Sequence, residues 1–218
     1  MTTSTTTPRP FIPGMGIDWL LPLYDPFTTL LGVGRTRATL LAQARLEPGH
    51  RMLDIGCGTG SLAVLARQRF PDVDVVGIDP DPRALERAAR KARRRGVQVR
   101  FDRGFADALD YPAASFDRVF SSFMFHHLAA AEKEATLRAV RRVLKPGGSL
   151  HLVDFGGPHG SGHGAHRHGR RSHGRLADNG EQTVIGFLQA AGLADAAKTG
   201  EESLLGLVRI VYYRAGRR

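Results

Sequence analysis

The stretch 53-LDIGCGTG-60 carries a short apolar segment directly into a glycine-rich turn. RMLDI (51–55) is typical of a buried strand, and SLAVLARQRF (61–70) has the spacing of a helix. Glycine at positions 56, 58 and 60 lets the backbone turn sharply and approach a ligand closely, where any Cβ would collide. The stretch therefore predicts a strand, a tight binding turn and a helix in succession.

The same strand-to-helix rhythm continues along the chain. Further strands are predicted at 73–79, 97–103, 116–123, 149–155 and 204–215, and further helices at 81–95, 131–144 and 181–192. Strands that alternate with helices at this spacing favour an α/β fold, with a parallel sheet covered by helices on both faces.

Three segments depart from this rhythm. Residues 1–14 contain three prolines and no periodicity, which predicts a flexible N-terminus. Residues 15–46 hold apolar stretches broken by Pro22 and Pro26, which predicts a cap of short helices. The main domain is expected to be 47–218, with a Gly/His/Arg-rich insertion at about 156–178 that has too few apolar residues to pack a core.

Composition limits the classes of partner. The net charge of +10 suits an anionic substrate, but the excess is spread along the chain without interleaved aromatic residues, which disfavours nucleic acid. No apolar run approaches the roughly 18 residues needed to span a bilayer. Cys57 is the single cysteine, and the opening residues have no apolar signal region, which favours a cytoplasmic protein. The oligomeric state stays open.

The spacing of the glycines distinguishes this turn from a dinucleotide-binding turn. A dinucleotide fingerprint, G-x-G-x-x-G, would require glycine where this chain has Ser61. Asp54 ends the first strand, where a carboxylate suits an ammonium group. Asp79 ends the next strand, where a carboxylate can accept both hydroxyls of a ribose. Asp81 is better placed to cap the following helix, which leaves Asp79 free for a ligand.

Four blocks occur together and in order: LDIGCGTG (53–60), GIDP (77–80), PAASFDRVFSSFMFHHL (112–128) and LKPGG (144–148). Over about residues 50–155 the chain thereby resembles the class I S-adenosylmethionine (SAM)-dependent methyltransferases, of the methyltransferase type 11 or ubiquinone/menaquinone C-methyltransferase kind. The resemblance implies a Rossmann-like doubly wound seven-stranded sheet, order 3-2-1-4-5-7-6, whose last strand lies antiparallel beside the fifth. It also implies SAM as cofactor, S-adenosylhomocysteine as product and a small-molecule methyl acceptor.

The resemblance assigns cofactor roles to particular positions. The glycine loop would hold the methionine end of SAM, Asp79 the ribose, and the loop after the third strand the adenine. One departure is Phe105, where the family commonly has Asp, so the adenine would rely on backbone groups, on packing against Phe105 or on Asp107. Cys57 is interpreted as a small packing residue. The full expected set is Asp54, Gly56, Cys57, Gly58, Gly60, Asp79, Pro80, Phe105, Ala106, Asp107 and Ser121.

Candidate catalytic residues follow from what methyl transfer requires. The reaction is an in-line displacement that mainly needs alignment, and a base is needed only when the acceptor must lose a proton. His126 and His127 follow the fourth strand at the ligand-binding edge, where an imidazole can act as a base or can simply pack the next helix. Asp154 ends the fifth strand in a similar place.

The N-terminal segment supplies one further candidate. LYDPFTTLLGVG (23–34) resembles the N-terminal segment of the quinone-type C-methyltransferases, so Tyr24 is hypothesised to close over the sulfonium or else to pack the cap against the sheet.

Three alternatives complete the sequence-based expectations. No metal is expected at the loop histidines 159, 163, 166, 168 and 173, because no carboxylate or cysteine accompanies them at metal-site spacing. An NAD-dependent oxidoreductase is disfavoured by Ser61. A non-catalytic SAM-binding or regulatory protein stays open as an alternative, and so does the choice of carbon, oxygen or nitrogen as the acceptor atom.

Overall fold

The computed structural model describes residues 33–157, 179–204 and 208–218. The predicted flexible N-terminus, most of the cap with Tyr24, and nearly all of the insertion with its five histidines lie outside the described residues. Within them, the helices are α1 (Val33–Gln43), α2 (Ser61–Arg69), α3 (Pro82–Arg94), α4 (Ala130–Val143) and α5 (Glu181–Ala190). The strands are β1 (Arg51–Ile55), β2 (Asp74–Asp79), β3 (Arg100–Arg103), β4 (Phe116–Ser122), β5 (Leu144–Phe155), β6 (Ala194–Leu204) and β7 (Val208–Gly216).

In the described ranges the strands form one seven-stranded sheet in the order β3-β2-β1-β4-β5-β7-β6. The pairs from β3 to β5 are parallel, and β7 is antiparallel to both β5 and β6. The predicted fold class, strand order and antiparallel last strand are all confirmed. Because β1, β2, β4 and β5 run in one direction, their carboxyl ends meet at one edge of the sheet, where ligands bind in this architecture.

Strands β3, β5 and β7 differ from their predicted positions, with β5 beginning at Leu144 instead of 149, and β6 was not predicted. The sequence did not locate β6, because its segment ADAAKTGEESL lacks the apolar alternation of a half-buried strand. β6 is an edge strand that pairs with β7 alone, so its register depends on that partner rather than on a buried face. The final strand begins at Val208 instead of 204, and β3 covers only Arg100–Arg103 of the predicted 97–103.

The core lies in two layers, one on each face of the sheet. Side chains alternate along β1, so Leu53 and Ile55 join the cluster that includes residues of α4 and α5, while Met52 joins the cluster of α1 and α2. Asp54 points to the same face as Met52. No helix in the described ranges is long and apolar enough to cross a bilayer.

Candidate active site

The three glycines of the 53–60 stretch all have left-handed backbone conformations, with φ of 63° at Gly56, 52° at Gly58 and 72° at Gly60. A Cβ at Gly56 would lie 2.3 Å from Cγ of Met124, and one at Gly60 would lie 2.7 Å from Cβ of Ala88. A Cβ at Gly58 would meet nothing within 4 Å. Protein packing therefore requires the outer two glycines, whereas the middle one faces open space.

Helix α2 begins at this turn without a side-chain cap. Gly60 is the N-cap residue, and no acidic side chain stands in the first turn. Lys91 of α3 brings a positive charge beside it, with Nζ 3.0 Å from Oγ1 of Thr59 and 2.7 Å from Oγ of Ser61. The helix dipole and this ammonium both favour a negatively charged group here. Sequence reasoning missed Lys91, which stands among arginines and carries no signal beyond its place on α3.

Asp79 links the end of β2 to the glycine loop. One oxygen accepts from the amide of Gly58 at 2.8 Å and the other from the amide of Asp81 at 2.9 Å. Asp81 caps α3 by accepting from the amide of Arg83 at 2.9 Å, as predicted. Asp79 is therefore not the cap of α3, as predicted, but the sequence did not predict that both of its oxygens accept from backbone amides. Each oxygen nevertheless keeps a further lone pair that can accept a hydrogen bond. The pKa of this half-buried carboxyl is raised, because burial raises it more than the two donating amides lower it.

Asp54 is a carboxyl buried at the end of β1. Its side chain is 1 % exposed, and within the described ranges neither oxygen has a partner. Burial raises the pKa of Asp54 to about 7, with a further rise from the charge of Asp79, while the charge of Arg37 lowers it. A buried polar group without partners costs free energy, which a ligand bringing N–H donors or positive charge would recover.

The remaining residues of the expected cofactor set surround this loop. The amide of Cys57 donates to the carbonyl of Ile78 at 3.0 Å, and burial raises the pKa of its thiol, which makes Cys57 a poor nucleophile. Ser121, on β4 beside Ile55, is 1 % exposed, and its hydroxyl has no hydrogen-bond partner in the described ranges. Pro80 directly follows Asp79, and its carbonyl accepts from Nε of Arg103 at 3.3 Å.

The loop after β3 comes next to the end of β2. The amide of Gly104 donates to the carbonyl of Asp79 at 3.2 Å, and a turn closes where the amide of Ala108 donates to the carbonyl of Phe105 at 3.1 Å. Phe105, Ala106 and Asp107 lie half-buried in this turn. The structure thus brings the three predicted adenine-loop residues close to Asp79.

The two candidate histidines have different surroundings. Asp154 is 1 % exposed and accepts from the backbone amide of His126 at 2.9 Å and from the amide of Phe155 at 2.7 Å. Its Oδ1 lies 2.6 Å from Nδ1 of His126. The ring of His127 contacts the ring of His126, with centroids 4.0 Å apart. The structure therefore joins His126 to the buried carboxylate, a pairing across 28 residues of sequence.

A bend after β4 brings this pair towards the glycine loop. Phe123 has a left-handed φ of 56°, rare for a bulky residue, and its ring lies 5.1 Å from that of Phe155. Met124, the next residue, packs directly against Gly56. The 3-10 turn Phe125–His127 follows, so the glycine loop and the His126–Asp154 pair share one edge of the sheet. In the described ranges no group of three or more His, Cys, Asp or Glu side chains is arranged to hold a metal ion.

Comparisons with known proteins agree with this arrangement. Residues 52–148 match the family model described as "Methyltransferase domain". Demethylmenaquinone methyltransferase of Thermus thermophilus is 40% identical over 144 residues, which is 64% of this chain and 64% of that protein. The 27-O-demethylrifamycin SV methyltransferase of Amycolatopsis mediterranei is 38% identical over 136 residues, which is 61% of this chain and 49% of that protein.

Among solved structures, the [4+2]-cyclase SpnF superposes with a TM-score of 0.70 at 20% identity, covering 84% of this chain and 81% of that one. At this identity the likeness concerns the fold alone. The chain spans less than two thirds of the length of the curated relatives it matches. Residues 52–148 therefore match a methyltransferase domain, and the strand order is the one that the resemblance to the class I SAM-dependent methyltransferases implies.

Proposed function

We propose that this protein transfers a methyl group from SAM to a small-molecule acceptor, using the carboxyl edge of β1, β2 and β4 as its cofactor site. The observation that carries the proposal is the carboxyl of Asp54, which is buried at the end of β1 and has no hydrogen-bond partner among the described residues, just before the turn in which Gly58 faces open space. A cationic ligand with N–H donors matches that carboxyl, and the ammonium of SAM is such a group.

The other residues fit the remaining parts of SAM. The uncapped start of α2, with Lys91 nearby, suits the methionine carboxylate. Asp79 has lone pairs left for the ribose hydroxyls, and the turn of Phe105, Ala106 and Asp107 offers a wall for the adenine. Cys57, Pro80 and Ser121 complete the proposed lining.

The chemistry asked of the protein is modest. SAM supplies a methyl group already activated by its sulfonium. The protein must hold the acceptor in line with that methyl and exclude water, which a buried edge lined by aromatic rings favours. We assign this work to the domain 47–218. The N-terminal cap and the 156–178 insertion are proposed to shape the acceptor pocket, and Tyr24 to close over the sulfonium. The relatives act, by name, on small molecules, which supports a small-molecule acceptor here. The single cysteine, Cys57, suits a reducing compartment such as the cytoplasm.

A second candidate is a SAM-binding protein that does not transfer the methyl group. The structural likeness to a [4+2]-cyclase supports this second candidate, because the name of that protein shows that the same fold can serve a reaction other than methyl transfer. Both candidates require SAM binding, and only the first requires its turnover.

The test is the formation of S-adenosylhomocysteine. Purified protein is incubated with methyl-labelled SAM and a small-molecule extract, with a parallel incubation of extract alone. We expect label in a small molecule together with stoichiometric S-adenosylhomocysteine, and loss of both in Asp79→Ala. SAM binding without turnover across broad extracts would favour the second candidate.

A further inference from the structure

We propose that the arginine-rich side of the molecule, formed by α3 and β3, is a docking surface for a membrane that contains anionic lipids. The negatively charged headgroups of the bilayer would be held by charge, without insertion of an apolar segment. We call this surface the arginine face, and it comprises the exposed basic residues of 82–103. The arginine face lies outside the glycine turn, so the proposal does not depend on the proposed methyl transfer.

The excess of positive charge, expected from the sequence to be spread along the chain, is concentrated in this segment. Residues 82–103 contain nine Lys and Arg side chains and two acidic ones, Glu86 and Asp102, so these 22 residues carry +7 of the net charge of +10. Surface charge of one sign attracts oppositely charged partners over roughly the Debye length, about 8–10 Å at physiological salt. The arginine face therefore dominates the electrostatic potential on this side of the molecule.

The arginines of α3 lie along one side of the helix. They recur at intervals of four, three and four residues and form a stripe about 17 Å long, made of Arg83, Arg87, Arg90 and Arg94. The buried side chains of the helix are small and occupy another side: Ala84, Ala88 and Ala92. β3, the edge strand that α3 contacts, extends the positive surface with the exposed residues Arg100 and Arg103.

The stability of α3 does not account for this stripe. A cation near the end of a helix, such as Arg94, is favourable, but a cation in the first turn opposes the helix dipole, and Arg83 stands there. Like charges three and four residues apart also repel each other along the stripe. The stripe therefore costs free energy in the isolated protein, and an anionic partner would recover it.

Acidic side chains neutralise only part of the arginine face. Glu86 lies 3.6 Å from Arg90, and Asp102 lies 3.0 Å from Arg100. Both pairs are accessible to solvent, where ion pairs are weak. Among the residues that the structure describes, no acidic side chain pairs with Arg87, Arg93, Arg94 or Arg95. These guanidinium groups can bind lipid phosphates, which they hold through two parallel hydrogen bonds.

The side chains between the arginines favour a bilayer over a nucleic acid. Surfaces that bind nucleic acids combine positive charge with aromatic rings that stack on bases. Phe101 is the only aromatic residue of 82–103, and its ring packs inward, where a Cβ at Gly60 would lie 2.9 Å from its Cζ. Apart from the charged residues, the exposed positions are Pro82, Gly96 and Gln98, of which only Gln98 can read a base edge. A bilayer requires only a sufficient density of basic side chains, which this face supplies.

The experiment measures binding of the full chain to vesicles of phosphatidylcholine alone and to vesicles of equal parts phosphatidylcholine and phosphatidylglycerol, by co-sedimentation over a series of salt concentrations. We expect binding to the mixed vesicles only, and release at high salt because the charges are screened. The stripe variant Arg87→Gln/Arg90→Gln/Arg94→Gln should bind the mixed vesicles roughly 10²-fold more weakly, because each arginine contributes about fivefold. Glutamine has a helix propensity similar to that of arginine, so α3 is expected to persist.

The matched control removes the same charge elsewhere. The variant Arg35→Gln/Arg138→Gln/Arg214→Gln changes three exposed arginines, on α1, α4 and β7. Each triple variant breaks one solvent-accessible ion pair between residues four apart. The control should keep nearly all of the wild-type affinity for the mixed vesicles, and circular dichroism verifies that each variant is folded. The single variant Arg87→Gln, with an expected loss of about fivefold, tests the proposal even if a triple variant does not fold.

The outcomes distinguish a local docking surface from a general effect of charge. No binding to the mixed vesicles at low salt, or equal binding to both kinds of vesicle, would overturn the proposal. So would equal losses in the two triple variants, because net charge and not this face would then be responsible. Preferential binding of random-sequence duplex DNA or RNA, lost in the stripe variant, would assign the face to nucleic acid instead. SAM titration should give the wild-type affinity in both triple variants, so failure of this proposal is distinguishable from failure of the proposed function.

Discussion

At the scale of single residues, the glycine turn contains positions with different requirements, and Gly58 is the one that faces open space. Its φ of 52° makes alanine strained, but no protein atom would meet the added Cβ. Gly49, with φ of 80° and equally open surroundings, precedes β1 and is the matched control. We expect Gly58→Ala and Gly49→Ala each to lower the free energy of unfolding by about 1–2 kcal/mol. Only Gly58→Ala should weaken SAM binding, by more than about tenfold, the equivalent of ~1.4 kcal/mol.

Thermal unfolding and SAM titration of both variants check this prediction. Equal SAM affinity in the two variants would show that Gly58 does not face the cofactor.

The raised pKa of Asp54 gives a prediction with a definite sign. A carboxyl whose pKa rises on folding stabilises the native state at low pH, and this contribution is lost as pH rises from about 4 to about 7. Asp54→Asn cannot ionise, so we expect its stability relative to the wild type to increase over that window and then level off. Burial lowers the pKa of His151 to about 3, so this residue destabilises the native state when the pH falls below the pKa of a free imidazole. The effect is the same in the wild type and in Asp54→Asn, and it therefore cancels when their stabilities are compared.

Calorimetry can test the same carboxyl through SAM. Because a cationic ligand favours the ionised form, SAM binding near pH ~7 should release protons from the wild type and not from Asp54→Asn. Titrations in buffers with different heats of ionisation measure that release. Identical proton release from both proteins would show that Asp54 is not part of the SAM site.

At the scale of elements, the helices and strands that could be predicted are those whose signals lie close together in the sequence. The β1–turn–α2 unit, β2 and α3 follow from apolar runs, glycines and the cap Asp81, all of which are near neighbours in sequence. β6 could not be located, because its pairing with β7 and not its own pattern makes it a strand. The His126–Asp154 pair was likewise out of reach: each residue was placed at the correct edge, but the contact depends on how β4 and β5 pair and on the bend at Phe123. The hydrogen bonds that Asp79 accepts from two backbone amides could not be predicted either, because the one from Gly58 depends on how β1 and β2 pair.

Two acidic residues near the start of α3 are assigned different roles: Asp81 stabilises the helix, and Asp79 is proposed to bind the ligand. Asp81 accepts from the amide of Arg83 and caps the helix, whereas Asp79 faces the glycine loop. We expect Asp81→Ala to lower the free energy of unfolding by about 1 kcal/mol with little change in SAM affinity, and Asp81→Ser to restore most of the stability. Chemical denaturation and SAM titration measure both effects. A large loss of SAM affinity in Asp81→Ala would mean that the two acids share the ligand.

At the scale of the whole molecule, a partly buried hydrogen-bond network joins α1 to the last two strands. Glu202 of β6 accepts from the hydroxyls of Thr36 and of Tyr212, the latter at 2.8 Å. We expect Tyr212→Phe to lower the free energy of unfolding by about 1–2 kcal/mol, because Glu202 loses a donor in partly buried surroundings. Arg218→Ala removes an exposed ion pair with Asp195 and should change stability by less than about 0.5 kcal/mol. Denaturation midpoints that fall equally in both variants would contradict this assignment.

The measurement that tests the central claim most directly is calorimetric titration of the purified protein with SAM and, separately, with NAD, repeated for Asp79→Ala and Asp81→Ala. The account predicts that the wild type binds SAM and not NAD, that Asp79→Ala loses most of the affinity, and that Asp81→Ala keeps it. Binding of NAD in place of SAM, or of neither, would contradict the assignment of the glycine turn and with it the proposed methyl transfer.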